Sequence, residues 1–285
     1  MFALLQYPFI QNAFIAGSLV AIVAGIVGYF LLTRGLTFAG HALSHIGFAG
    51  AAGALVLGVD PVVGLLVFTI SAGVGIGILG KRLNERDVTI GIIMTLMLGL
   101  GALFISLYSG YAERAYSILF GTILGISKSD VFITAIFSVL TFIALLCIFR
   151  PLLFSSFDQE VAEARGVPVR LLGVIFLVLV GITVSMSVQV VGVLLIFTLL
   201  VGPAATATRL IHEPLGAIAL SIFLGLLYTW VGIFLAISDI GGNWPVSFYI
   251  AALSFAIYLP VRLFSKHEKR RHNKATSSFS QSSAS

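Results

Sequence analysis

Roughly nine apolar runs, at 11–32, 36–58, 61–80, 88–108, 130–149, 169–189, 191–210, 214–237 and 246–264, each have about the length a helix needs to cross a bilayer. The connections between them are short, so most of the chain would lie in lipid, where every backbone polar group must be satisfied internally. With 59% hydrophobic and 9% charged residues, the composition excludes a soluble globular domain. The reading is an all-α polytopic transmembrane bundle of about eight or nine spans filling residues 1–264. The remainder, 265–285, is Lys/Arg-rich and then Ser-rich, and is expected to be a disordered cytoplasmic tail in which His267 and His272 belong to a solvated basic segment.

Basic residues predict the orientation. Arg34, Lys81, Arg82, Arg150, Arg165, Arg209 and the cluster after Lys266 fall on alternate connections and the C-terminal segment, whereas Arg114 and Lys128 fall on the other side. The positive-inside rule then places the N-terminus outside and the C-terminus in the cytoplasm. The net charge of +5 reflects this topology and contact with anionic head groups rather than nucleic-acid binding. No Lys or Arg precedes Arg34, which argues against a cleaved leader. The single cysteine, Cys147, sits inside a run and reads as packing, with no partner for a disulfide or a thiolate metal site.

His41 and His45, in His41-Ala42-Leu43-Ser44-His45, are the polar residues hardest to place by chance. They stand one helical turn apart, on one face, in a run from Leu36 to Gly58 without Lys, Arg, Asp or Glu. Ionisable groups at such depth are costly and usually line a pathway. Metal ligation, proton handling and structural hydrogen bonding all remain open for the pair. Neutral imidazoles would bind Zn²⁺, Mn²⁺ or Fe²⁺ without bringing negative charge into the bilayer. A dimer with facing second spans would supply four imidazoles, a set that suits Zn²⁺ better than the harder Mn²⁺. The pair is half of a zinc-protease motif, but Ala42 occupies the place of the general-base Glu, so an intramembrane hydrolase is disfavoured.

Two glycine patterns mislead. Gly75-Ile-Gly77-Ile-Leu-Gly80 matches a dinucleotide fingerprint and Gly75–Lys81 nearly matches a phosphate loop, but neither follows a strand and Arg82 replaces the required Ser or Thr. ATP must be handled by another chain. Small-xxx-small pairs, Ala49/Gly53 and Gly73/Gly77, predict close helix packing around the histidines. The stretch 116–129 is too short to cross alone and suits a re-entrant piece.

All 11 carboxylates lie in connections, tails or span ends. Proton- or sodium-driven exchangers commonly place carboxylates at mid-membrane depth, so a secondary proton-coupled metal transporter is the weaker alternative. Energy would enter instead through the connection 156–168. Ser156 and Gln159 form a capping-box pattern, acidic residues follow, Gly166 is a stop and Pro168 begins the next span, together predicting a short surface helix. Pro203, inside a span, removes one backbone hydrogen bond and is a possible hinge.

Taken together, Arg34-Gly-Leu-Thr-Phe-Ala-Gly40-His41-Ala-Leu-Ser44-His45, Phe157-Asp158-Gln-Glu160-Val-Ala162-Glu-Ala-Arg-Gly166 and Val191-Gly192-Val-Leu-Leu through Gly202-Pro203-Ala-Ala-Thr206-Ala resemble the permeases of bacterial ABC importers for zinc, manganese and iron(II). Asp87-Val-Thr-Ile-Gly91 adds a weaker match. The resemblance implies a vitamin-B12-importer-like permease in the bacterial inner membrane, present as a homodimer or pseudo-dimer. It also implies two cytoplasmic ATPase subunits that bind ATP and Mg, and an extracytoplasmic metal-binding protein. It makes this chain a transport subunit rather than an enzyme, with no cofactor of its own and the divalent metal as cargo. By the same resemblance, Asp158, Glu160, Ala162 and Gly166 fall on the coupling helix that contacts the ATPase, and His45 matches the pathway histidine. His41 departs from the pattern, since most members carry Asp there; imidazole in that place moves the expected preference from Mn²⁺ toward Zn²⁺.

Overall fold

The computed structural model describes residues 7–78, 83–108, 121, 123–238 and 244–282, with side chains at all of these but 83–86, 124, 194 and 265–282. Among them each apolar run is a helix and there is no strand. The helices are α1 (Pro8–Thr33), α2 (Thr37–Val56), α3 (Pro61–Ile78), α4 (Leu83–Leu107), α5 (Lys128–Phe157), α6 (Gln159–Ala164), α7 (Val169–Val191), α8 (Val193–Leu210), α9 (Pro214–Ile237) and α10 (Val246–Ser282).

Seven of these are long and apolar enough to cross a membrane: α1, α3, α4, α5, α7, α9 and the Val246–Phe264 part of α10. α2 is not among the seven, because its histidines and glycines lower its hydropathy, and α8 contributes only the shorter apolar helix Leu195–Leu210. The bundle explains how these two are accommodated. α2 packs against α3, α4, α7 and α8, and α8 against α1, α2, α9 and α10, so both are sheltered by other helices. A helix shielded from lipid need not be lipophilic all round.

α1 and α7 form the centre. The most apolar window of each is 72% buried, against 11% for α4, which therefore lies at the periphery. Large apolar side chains on the outer helices, among them Leu96, Phe132 and Leu146, point outward. A contiguous outer surface of this kind would be an aggregation hazard in water and is the ordinary condition in lipid.

Glycines set the closest approaches. A Cβ on Gly50 would collide with the carbonyl of Gly64, and one on Gly64 with that of Gly50, so α2 and α3 meet backbone to backbone. Gly73 and Gly77 of α3 press on Leu177 and Val174 of α7, at 2.7 Å from an added Cβ to the Leu177 oxygen. The Gly73/Gly77 pair therefore packs as the small-xxx-small pattern predicts.

Helix ends follow from local chemistry. α1, α2 and α6 each stop at a glycine with positive φ, at Gly35 (64°), Gly58 (70°) and Gly166 (82°). At each, the glycine amide and the amide that follows it bond back to the last turn, as in Gly35 N to Leu32 O at 3.2 Å and Leu36 N to Leu31 O at 2.8 Å. α5 opens with a reciprocal cap in which Ser127 Oγ accepts from Asp130 N and the Asp130 carboxylate accepts from Ser127 N.

The structure corrects or completes three expectations and extends the last helix into the tail. The Ser156/Gln159 capping box does not form: α5 continues through Ser156 to Phe157, and Asp158 is the cap of α6 instead. Cys147 is exposed on the outer side of α5 rather than packed within the bundle. The basic segment after 264 continues α10 as helix to Ser282; it lacks Gly and Pro and is rich in straight-chain residues that favour helix. In 116–129, residues 116–120 and 122 lie outside the described residues, while Ile123–Gly125 is a single 3₁₀ turn ahead of α5.

Candidate metal-transfer site

α2 begins after the Gly35 turn and carries Phe38, His41 and His45 on successive turns. Both imidazoles are half-buried, whereas Ala42, Leu43 and Ser44 between them are buried. The helix therefore turns its small and apolar residues to its neighbours and leaves the two rings at the edge of the packing. Phe197 on α8 packs against His41, its ring centroid 4.7 Å from that of the imidazole at 66°.

The two Nε2 atoms converge to 3.3 Å, and the rings stand nearly perpendicular, at 89°. One proton between them would make an N–H···N hydrogen bond. The same separation is that of two imidazoles sharing a tetrahedral ion, since ligands at about 2.0–2.1 Å with a tetrahedral angle are about 3.3 Å apart. The Nδ1 atom of each ring is buried without a hydrogen-bond partner among the described residues. The pair is thus not fixed by a second protein group on its far side, in contrast to resident zinc sites, where a carboxylate or carbonyl usually holds that nitrogen. Among the described residues no group of three or more His, Cys, Asp or Glu gathers around a common point. Two ligands with loose outer support suit an ion in passage better than a structural metal.

The segment assigned to coupling lies elsewhere in the bundle. α6 packs on α5 and α7, while the histidines stand on α2. Asp158 Oδ1 accepts from Val161 N at 3.0 Å and opens the helix, Ala162 is fully buried, and Gly166 ends it with positive φ. Glu160 is exposed in the first turn. The helix is therefore anchored by one small apolar residue and shows a polar face outward. Pro203 is buried inside α8, two turns from Phe197, and leaves the helix continuous from Val193 to Leu210.

Phe197 is the site residue that the sequence reading missed. Its contact with His41 joins α2 to α8 across more than 150 residues, and one phenylalanine in an otherwise aliphatic membrane helix gives no local signal.

Comparisons with known proteins concern the chain as a whole. Residues 6–264 match the ABC 3 transport family. The chain is 33% identical over 274 residues to the manganese import system permease protein ScaB of Streptococcus parasanguinis, covering 96% of each. It is 33% identical over 232 residues to the manganese transport system membrane protein MntC of Listeria innocua, covering 81% of this chain and 82% of that one. Among solved structures, PsaBC from Streptococcus pneumoniae in complex with Fab superposes with a TM-score of 0.80 at 31% identity, over 92% of this chain and 95% of that chain.

Proposed function

We propose a transport function from the premise that this chain belongs to the ABC 3 transport family: it is the membrane permease subunit of an ATP-driven importer of a divalent transition metal. As a permease it is not itself an enzyme, and ATP hydrolysis belongs to a separate chain. The observation that carries the reading is the convergence of His41 Nε2 and His45 Nε2 at 3.3 Å on a helix enclosed by four others. Among the described side chains no Asp or Glu lies in the middle of an apolar span, so none of them is placed for a proton- or sodium-driven cycle.

In this reading two permease copies stand side by side in the bacterial inner membrane, N-termini outside and C-termini in the cytoplasm. An outer metal-binding protein delivers the ion to His41 and His45. Two cytoplasmic ATPase subunits, which bind ATP and Mg, engage the α6 segment through the surface around Asp158, Glu160 and Gly166, with Ala162 as its packed anchor. Closure of the ATPase pair moves α6, and the path past the histidines changes the side to which it opens, with Pro203 as a hinge in α8. A change of a few kcal/mol in ligand geometry between the two states suffices to load and empty such a site.

The named relatives are manganese proteins. The two-imidazole donor set favours zinc, which is borderline-soft, over the harder manganese. The test is radiometal uptake into vesicles containing the permease and its ATPase, with Zn²⁺, Mn²⁺ and Fe²⁺ compared. ATP-dependent uptake that falls in His41→Ala and His45→Ala by at least the about 10–100-fold lost on removing an outer-shell partner of a metal ligand supports the reading. Unchanged uptake in both variants, or uptake driven by a proton gradient without ATP, overturns it.

A further inference from the structure

A cavity of about 740 Å³ opens beside α6, between α3 and the start of α7, and it is lined in part by Arg34, Gln159, Arg170 and Glu163. Among the described residues that line it, the charged groups are two guanidiniums and one carboxylate. Arg34 is half-buried at the C-cap of α1. All its hydrogen bonds go to neutral oxygens, from Nη1 to Ser155 Oγ at 2.8 Å, to Ser156 Oγ at 3.4 Å and to the Leu152 carbonyl at 3.5 Å. Its Nε is buried without a partner, and its Nη2 faces Gly173, where an added Cβ would meet that nitrogen and nothing else within 4 Å. Among the described residues this half-buried cation is bonded only to neutral groups, with no counter-charge on it, and its Nη2 edge faces the cavity.

From this geometry we infer that the cavity is a binding site for the phosphate of an anionic phospholipid, gripped by Arg34 and Arg170. The rest of the lining favours a lipid over a soluble anion. Ile76, Leu177 and Val174 give the cavity an apolar wall, and its rim runs onto Ile78 and Leu171, which are 72% and 57% exposed and continuous with the outward-facing surface. A head group seated on the arginines therefore has a hydrophobic route by which its acyl chains rejoin the bilayer. Basic cavities between membrane helices on the cytoplasmic side take anionic head groups by this combination. A carboxylate from a protein partner would satisfy the arginines but leave the apolar wall uncovered. The lipid would sit against Gln159 of α6 and the Arg34 corner that leads into α2. The inference adds a ligand to the proposed coupling region and does not depend on which metal is carried.

The test uses the full chain purified in detergent and depleted of lipid. Phosphatidylglycerol, phosphatidylcholine and inorganic phosphate are each added, and retained adducts are counted by native mass spectrometry alongside thermal unfolding. Phosphatidylglycerol should be retained and raise the unfolding temperature, phosphatidylcholine should do neither, and inorganic phosphate should bind weakly or not at all. Arg34→Gln removes a charge-assisted pair and should weaken phosphatidylglycerol retention about tenfold. Gly173→Leu keeps both arginines and introduces a helix-favouring residue while filling the cavity, and should weaken retention comparably without lowering lipid-free stability. Equal retention of both lipids, phosphate binding as well as phosphatidylglycerol, or retention unaltered in both variants would overturn the proposal. Loss of metal uptake in the His41 and His45 variants leaves these lipid readouts untouched, so the two readings fail separately.

Discussion

Thr69 Oγ1 and Ser185 Oγ lie 2.7 Å apart and form a buried hydroxyl pair that joins α3 to α7. Each hydroxyl also shares its own helix's carbonyls, Thr69 with Leu65 and Ser185 with Gly181. The neighbouring Gly181 brings the α7 backbone to within 2.9 Å, measured from an added Cβ, of the Thr69 carbonyl oxygen. Inter-helix hydroxyl bonds in membranes contribute about 0.6 kcal/mol on average. Thr69→Val and Ser185→Ala should each lower stability by about 0.5–1.5 kcal/mol, and the double variant by less than the sum, because both singles remove one shared bond. Unfolding in mixed micelles measures all three.

His41→Asp replaces an imidazole with a carboxylate at the same turn of α2. The donor pair becomes harder and more anionic, which favours Mn²⁺ relative to Zn²⁺. In uptake competition the Mn²⁺/Zn²⁺ ratio should rise on the order of tenfold, a change of about 1.4 kcal/mol in relative binding. A ratio equal to that of the parent chain would remove His41 from the selection of the ion.

Asp158→Ala deletes the cap of α6, whose Oδ1 accepts from Val161 N at 3.0 Å. Loss of an N-cap costs about 1 kcal/mol, and Asn, an equally good cap, avoids it. Asp158→Ala should therefore reduce ATP-coupled uptake while binding of metal to the permease is retained, and Asp158→Asn should restore most of the uptake. Equal loss in both would mean that the charge, not the cap, is what matters.

Gly50→Ala places a methyl against the Gly64 carbonyl, with no flexible side chain to give way. Overpacking of this kind costs about 1–3 kcal/mol, and the same holds for Gly64→Ala. Thermal unfolding of either variant, compared with Gly99→Ala, where an added Cβ has nothing within 4 Å, checks the effect.

Pro203→Ala returns an amide donor to the interior of α8. The variant should be as stable as the parent or more stable, since an interior proline costs a helix up to about 3 kcal/mol. Uptake should slow if the missing bond serves as a hinge. Unchanged uptake with raised stability would assign the proline to packing alone.

The span pattern was legible because lipid demands length and apolarity together, and seven of the nine runs met that demand in full, 36–58 and 191–210 being sheltered by other helices instead. Gly166 was legible as a helix stop because positive φ selects glycine. The cap of α6 was misplaced by two residues, since Ser156 and Asp158 both suit a cap and only the extension of α5 through Phe157 decides between them. The i, i+4 spacing of His41 and His45 fixed their shared face, but the aromatic neighbour Phe197 and the anchorage of Arg34 at Ser155 could not be read locally. Those contacts arise between helices distant in sequence and depend on how the bundle closes.

Because α2 packs against α3, α4, α7 and α8, the side chains at positions 41 and 45 are half-covered by protein in the folded bundle. The cost of a polar donor is met inside the bundle rather than at the bilayer. On the proposed reading, one donor can be exchanged for another, and the choice of ion retuned, while the lipid-facing surface stays as it was.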